Sequence, residues 1–430
     1  MSDSNHPNEI ILSVEQAQTM WRDRRRYFKA LKTFLKIENS YKRLHEKVAN
    51  LAPEDRQHLL CKLHRRNAQL LYQLCETNGG MWIKCAQFLC SYPDILPNEY
   101  IAQFQNLHSN SHSLPFLHLE VVLVEEWGAN WEHYFDWIEE EPVATTAIAQ
   151  IHKAKLVNGP EVAVKIQLPD AQRCYQQDAL QLKALAKILA SRLPQFNLPE
   201  ITNDLLYMTE QALDFTHEKE NLEQFAQLPH MRQISTPKLF ASWSTKRVLM
   251  TEWIAGETFT HYIRSSESDD LQQYLITLQE SYLQQITQFG FYHTHLQPHH
   301  FLVSAERGII YILDCVTMSH LSTAQRVSYH RLLFTIFTQD CKNLGSALND
   351  AEFKDVNQEL IEKLTKILSS NDENNSPYQL LHLLLRELNR HQVEVPESFR
   401  AIARVLLSLD SLIGQFNAPV VWQNVFSEAG

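Results

Sequence analysis

The stretch "HTHLQPHH", His293 to His300, holds four histidines, and an apolar run shortly after it ends on Asp314. Two chemistries use residues of these types. Converging imidazoles can ligate Zn2+ or Mn2+. His293 and His295 are two apart, His295 and His299 four apart, and Asp314 is the nearest further donor. The other chemistry is phosphoryl transfer. Its catalytic loop reads H-x-D-x-x-x-x-N, where the aspartate takes a hydroxyl proton and the asparagine holds a metal ion. His293 fits the first position, His295 stands at the aspartate position and His300 at the asparagine position. Asp314, in "DCV", stands where a DFG sequence keeps its metal-binding aspartate. The frame is that of the catalytic loop, with its aspartate and asparagine replaced.

Phosphoryl transfer also needs a cation on the phosphates. In "PEVAVKIQL", Val162, Val164 and Ile166 alternate with other residues as in a half-buried strand. Lys165 sits on that strand, and a buried lysine needs a partner. Kinase-like folds use such a lysine on the α/β-phosphates and fix its amine with a helix glutamate. Glu218, in the helical stretch "LDFTHEKENLEQF", is the candidate partner.

The elements that must position these residues follow from the rest of the chain. Its 430 residues can bury a large core, and 44% hydrophobic with 21% charged residues is ordinary for a globular protein. Ten glycines and no GxGxxG or GxxxxGK[ST] exclude a glycine-rich phosphate loop. The net charge of −11 argues against a nucleic-acid partner, which needs a basic face. Seven scattered cysteines without a CxxC pair read as reduced thiols in a cytoplasmic protein. The polar start "MSDSNHPNE" has no signal-peptide pattern, and no apolar run is long enough to span a membrane.

Residues 13 to about 140 read as helical, with Ser13 and Gln16 as a capping box. Within Met20–Lys36, Tyr27, Phe28, Leu31, Phe34 and Leu35 recur at helical spacing, with Arg22, Arg25, Lys29, Lys32 and Lys36 on the other side. Such a helix either lies on an anionic membrane surface or turns a solvated face outward from the core. "PKLFASW" and "RVLMTEWIAGE" are further strand candidates, and after Leu271 the chain is helical again, interrupted by the histidine loop and short strands. This is an α+β chain: a small β-rich lobe and a helical lobe, preceded by a helical extension.

With these motifs in order, the chain resembles the UbiB (AarF-type) atypical kinase family over roughly residues 70 to 420. The family's K-x-G-Q motif is similar to "KCAQ" here, with Lys84, Ala86 and Gln87; its alanine-rich loop resembles "ATTAIAQIHKA", with Ala144, Thr145, Thr146 and Ala147. Its "ELDxxxEAxN" resembles "ALDFTHEKEN", keeping Asp214, Glu218 and Asn221, and its "HADPHPGN" is "HTHLQPHH". "TEWIAGE" resembles the hinge, and "VPESFRAIARVLLSLDSLIGQFNAP" the last helix pair. The glutamate that the family sets against the motif lysine is Ala212 here, and Val316 replaces the DFG glycine.

The resemblance implies a protein-kinase-like two-lobe fold: a helical extension over 1–140 carrying the KxGQ-like motif, an N-lobe over 141–257 and a C-lobe over 258–430. It implies that Lys165, Glu218 and residues 144–147 meet ATP, and that Asp314 holds one Mg2+. His300 is a poor Mg2+ ligand, because that ion prefers oxygen donors. His295 can accept a proton but brings no negative charge. The expectation is a pseudokinase that binds ATP or ADP and assists a ubiquinone- or isoprenoid-lipid process, with lipid-pathway proteins as partners and at most peripheral membrane contact. The alternatives are an active ATPase or small-molecule kinase with an altered loop, and a scaffold that binds no nucleotide.

Overall fold

The computed structural model describes residues 14–48, 52–90, 96–104, 107, 113–191, 198–229, 233–265, 269–294, 296–369, 376–416 and 418–427. They fall into two compact units. The first comprises Met1–Val121, Glu141–Ile151 and Gln167–Leu213, and the second Val122–Glu140, His152–Ile166 and Asp214–Gly430.

The first unit is a helical assembly of α1 (Val14–Val48), α2 (Pro53–Asn78), α3 (Gly80–Leu89), α4 (Asn98–Phe104), the first half of α5 (Phe116–Trp127), α6 (Ala171–Ala190) and α7 (Leu198–Ala212). Helical spacing brings Ala30, Leu31 and Phe34 of α1 onto a core with Leu74, Trp82, Phe88, Tyr100 and Phe104. Arg25, Phe28, Lys29, Lys32 and Lys36 lie on the exposed side of α1. Ser13, the expected cap, lies outside the described residues. The reversal from α2 to α3 needs positive φ at two successive positions, and Gly79 (φ 63) and Gly80 (φ 47) supply it without a Cβ penalty. An ion pair ties the helices behind that turn: Arg26 reaches the Asp178 carboxylate at 3.0 Å and donates to the Asn78 carbonyl at 2.7 Å.

The chain is not helical to residue 140. After α5 a 3-10 turn (Trp131–Tyr134) leads into strand β1 (Phe135–Ile138). Gly128, at φ 87, takes the chain out of the helix, and four residues are too few for a period to be read. The further strands are β2 (Ala144–Thr145), β3 (Ala149–Leu156), β4 (Glu161–Gln167), β5 (Ile234–Ser235), β6 (Val248–Glu252), β7 (Glu257–Thr258), β8 (Phe291–His293), β9 (Phe301–Ser304), β10 (Ile309–Ile312) and β11 (Met318–His320). One sheet has the order β1-β3-β4-β6, with β2 on β3. Val162, Val164 and Ile166 of β4 are fully buried, and Lys165 pairs in register with Leu249 of β6. "PKLFASW" is not a regular strand. It runs along β6, but only Leu239 forms a bridge, to Thr251. A turn in which Trp243 donates to the Phe240 carbonyl uses a backbone group that a ladder would need.

In the second unit, a sheet of order β5-β10-β9-β7 and the pair β11-β8 carry the loop region. Gly256 lets the backbone approach β9 closely: a Cβ there would lie 2.4 Å from the Val303 carbonyl oxygen. The helices of this unit are α8 (Phe215–Phe225), α9 (Phe259–Ser265), α10 (Asp269–Gln284), α11 (Thr323–Phe337), α12 (Leu344–Asp350), α13 (Gln358–Leu368), α14 (Pro377–Arg390), α15 (Glu397–Gln415) and α16 (Gln423–Ser427). Ser322 and Ser376 close capping boxes at the starts of α11 and α14. Among the described residues no helix is long and apolar enough to cross a membrane.

Candidate functional site

Phe215, Glu218, Leu222 and Phe225 form the buried side of α8, so a glutamate sits within an otherwise apolar stripe. Its partner comes from β4. Lys165 Nζ lies 2.6 Å from Glu218 Oε2, with the lysine side chain 15% and the glutamate 1% exposed. The ammonium also lies 5.0 Å from the Phe215 ring centre, a cation–π contact. Burial works against charge on Lys165, but the carboxylates of Glu218 and Asp314 outweigh it and hold the amine above its ordinary pKa. Burial, with Asp314 adding to it, pushes the Glu218 carboxyl up against the pull of Lys165. A buried pair of this kind is a weak source of stability, and it spends desolvation energy to hold an amine in one place.

The histidine loop is built around His293. After α10 the helix widens into a π-turn over Gln285–Phe289, and Gly290 leaves it at φ 66. The Gln285 side chain thereby accepts from the His293 backbone N–H at 3.1 Å. The fully buried His293 ring has Tyr282 Oη 2.9 Å from Nδ1 and the Asp314 carbonyl 2.8 Å from Nε2. A carbonyl only accepts, so Nε2 carries the hydrogen and Nδ1 accepts from Tyr282. Burial lowers the pKa of this ring, in keeping with a neutral imidazole. His293 is thus a structural pin between α10 and the Asp314 segment.

Asp314 follows β10 and is 38% exposed on its side chain. Its Oδ1 accepts from the Val316 N–H at 3.1 Å, while Oδ2 faces His300 Nε2 at 3.7 Å. His300 ends the short turn Pro298–His300, and its carbonyl accepts from the Leu313 N–H at 2.8 Å, which fixes it beside the Asp314 segment. Asn221 of α8 donates to the carbonyls of Cys315 (2.8 Å) and Val316 (3.3 Å), so its amide holds backbone. Lys165, Glu218, Asp314 and His300 are thus gathered within the second unit, while His295 lies outside the described residues.

Among the described residues no three His, Cys, Asp or Glu side chains converge on one point as a protein-made metal cage. Among the described residues at these motif positions, the donors for the implied Mg2+ are the Asp314 carboxylate and the His300 imidazole. The carboxylate suits Mg2+ and the imidazole does not. The set therefore fits that ion poorly.

The other motif residues hold structure in the first unit or cap a helix. Ala144 and Thr145 pair with Ile151 and Gln150, and the Thr146 hydroxyl accepts from the Ala149 N–H at 3.0 Å. Ala147 lies half-buried beside them. Gln150 of the same motif is fully buried and bonds both backbone groups of Leu114, at 2.7 and 3.2 Å. Lys84 is half-buried on α3, and Gln87 donates to the Leu107 carbonyl at 3.2 Å. Ala212 is buried at the end of α7. Asp214 caps α8 through the Thr216 N–H (3.1 Å) and hydroxyl (2.6 Å). Residue patterns alone did not single out Tyr282, Gln285 or Phe215, although a fixed H-x-x frame signals that something must hold its histidine.

Comparison with known proteins places the chain in a family. Residues 106–348 match the model of the ABC1 atypical kinase-like domain. The chain is 32% identical over 235 residues to a Dictyostelium discoideum protein named "Probable serine/threonine-protein kinase abkD", covering 54% of this chain and 33% of that one. It is 29% identical over 297 residues to the AarF domain-containing protein kinase 1 of Gallus gallus, covering 68% of this chain and 57% of that one. The chain thus spans between a third and three-fifths of the length of these two relatives. The complex of Rv3197 with erythromycin from Mycobacterium tuberculosis superposes with a TM-score of 0.58 at 22% identity, over 84% of this chain and 95% of that one. At that identity the likeness is one of fold.

Proposed function

Because the chain belongs to the ABC1 atypical kinase-like family, of the UbiB/AarF type, we propose that it is a nucleotide-binding member in which phosphoryl transfer is absent or very slow. The observation that carries this reading is the buried Lys165–Glu218 pair at 2.6 Å with the Asp314 carboxylate beside it. A fold without a nucleotide to hold has little reason to bury a charged amine next to two carboxylates. Lys165 meets the phosphates, and Asp314 offers an oxygen to their metal ion. His295 and His300 at the base and second-metal positions support loss of turnover. By family resemblance, the process served concerns isoprenoid lipids, with lipid-pathway proteins as partners.

The test is a thermal-shift titration with ATP, ADP and AMP, each with EDTA, Mg2+ or Mn2+. A ligand that binds only the native state raises the melting temperature whether or not it is turned over. The expected result is a nucleotide-dependent rise that Lys165→Ala abolishes. No rise at millimolar nucleotide under any condition would leave the scaffold reading.

A further inference from the structure

The protein offers the nucleotide's metal ion one oxygen and one nitrogen where two oxygens serve the family pattern. His300 stands at the asparagine position, and its Nε2 lies 3.7 Å from Asp314 Oδ2. The ring is held there: its side chain is 13% exposed, its carbonyl is tied to the Leu313 N–H, and its plane stands edge-on to His299 with centroids 4.3 Å apart. An ion bound at the usual distances of roughly 2.0–2.2 Å from both imidazole nitrogen and carboxylate oxygen fits between donors at that separation. We propose that this site selects a nitrogen-tolerant divalent metal, of the Mn2+, Co2+ or Zn2+ class, over Mg2+ as the partner of its nucleotide.

The inference rests on the nucleotide reading above and adds the identity of the metal. Mg2+ demands near-octahedral oxygen coordination and dehydrates reluctantly, so replacing an amide oxygen by an imidazole removes one of its ligands. First-row transition ions and Zn2+ gain from the same exchange, since imidazole suits them and carboxylate is tolerated. Two protein donors make a weak site alone. Phosphate oxygens supply further ligands, so metal and nucleotide bind together and each strengthens the other. The charges also balance: Lys165 is matched by Glu218, and the divalent ion is matched by Asp314 and the phosphates.

The test compares metals at equal concentration. In the thermal-shift titration with ATP, Mn2+ and Co2+ are expected to give a larger rise than Mg2+, by a margin equivalent to tenfold or more in nucleotide affinity. His300→Asn, which returns an amide oxygen to the position, is expected to raise the Mg2+ response and reduce the advantage of Co2+. Co2+ adds an optical readout: its visible absorption should intensify with ATP in the wild type and change in His300→Asn. Glu359→Gln, an exposed carboxylate on α13 that the site does not use, serves as a control and should keep the wild-type spectrum. Mg2+ equal to or better than Mn2+ and Co2+ in the wild type, or an unchanged order in His300→Asn, overturns the metal inference while nucleotide binding stands. No response to nucleotide with any metal or with EDTA overturns both.

Discussion

An imidazole and a carboxylate both accept protons, but only the carboxylate brings charge. In the catalytic-loop frame that the resemblance implies, the exchange at His295 removes the negative group that orients a hydroxyl beside a metal ion, and a positioned base is worth about 10²–10⁴ in rate. At His300 it removes an oxygen from the second-metal position. The expected outcome is ATP hydrolysis well below ~1 s⁻¹, the lower edge of ordinary enzymes. Phosphate release, with and without lipid vesicles and a phenolic lipid-precursor mimic, measures it. A rate near ~1 s⁻¹ that His295→Ala destroys would overturn the pseudokinase reading. The positions of Lys165, Glu218, Asp314 and His300 were legible in the sequence because each lies at a fixed place in a short motif. What holds them was not. Tyr282 and Gln285 reach His293 only because the helix widens into a π-turn at Gln285–Phe289, and no spacing rule announces that turn.

At the scale of elements, α8 sets where Glu218 stands, and Asp214 sets where α8 starts. Burial raises the Asp214 carboxyl, but the Thr216 hydroxyl and N–H, aided by Lys246, outweigh it and hold it below the ordinary carboxylate value. The sign follows from linkage: the stabilisation is fully present above the unfolded value of about 4 and is lost as pH falls through the lower folded value. Asp214→Ala should cost about 1 kcal/mol at pH 7, as for other lost N-caps. Urea midpoints of wild type and variant should converge as the pH falls below about 4. A gap that stays constant with pH would show that the carboxylate charge contributes nothing. Elements with a clear period were readable in advance. In β4 the alternation of Val162, Val164 and Ile166 reflects one buried face. "PKLFASW" looked similar by composition, but its turn at Phe240–Trp243 depends on where β6 lies. β1 was hidden because its four residues follow a long helical region without a period of their own.

For the molecule as a whole, a net charge of −11 coexists with one strongly basic helix. The sequence left open whether the apolar side of that helix meets lipid or core. Ala30, Leu31, Phe34 and Ile37 face inward, so that side is not available for insertion. What remains outside is a stripe at helical spacing, Arg25, Lys29, Lys32 and Lys36, with Phe28 63% exposed beside it. Any contact with a membrane through this stripe would therefore be electrostatic. Each basic residue near an anionic surface adds up to ~1 kcal/mol, and the attraction fades within a Debye length of about 10 Å at 0.1 M salt. Co-sedimentation should show the wild type pelleting with anionic but not neutral vesicles at low salt, and released as salt is added. Replacing Arg25, Lys29, Lys32 and Lys36 by Gln should stop pelleting and leave the melting temperature within a degree or two, since exposed unpaired charges contribute little to stability. Pelleting with neutral vesicles would mean that α1 leaves its core to insert. Equal pelleting by the variant would place the contact elsewhere, and no pelleting by the wild type would make the stripe a solvated face of the fold.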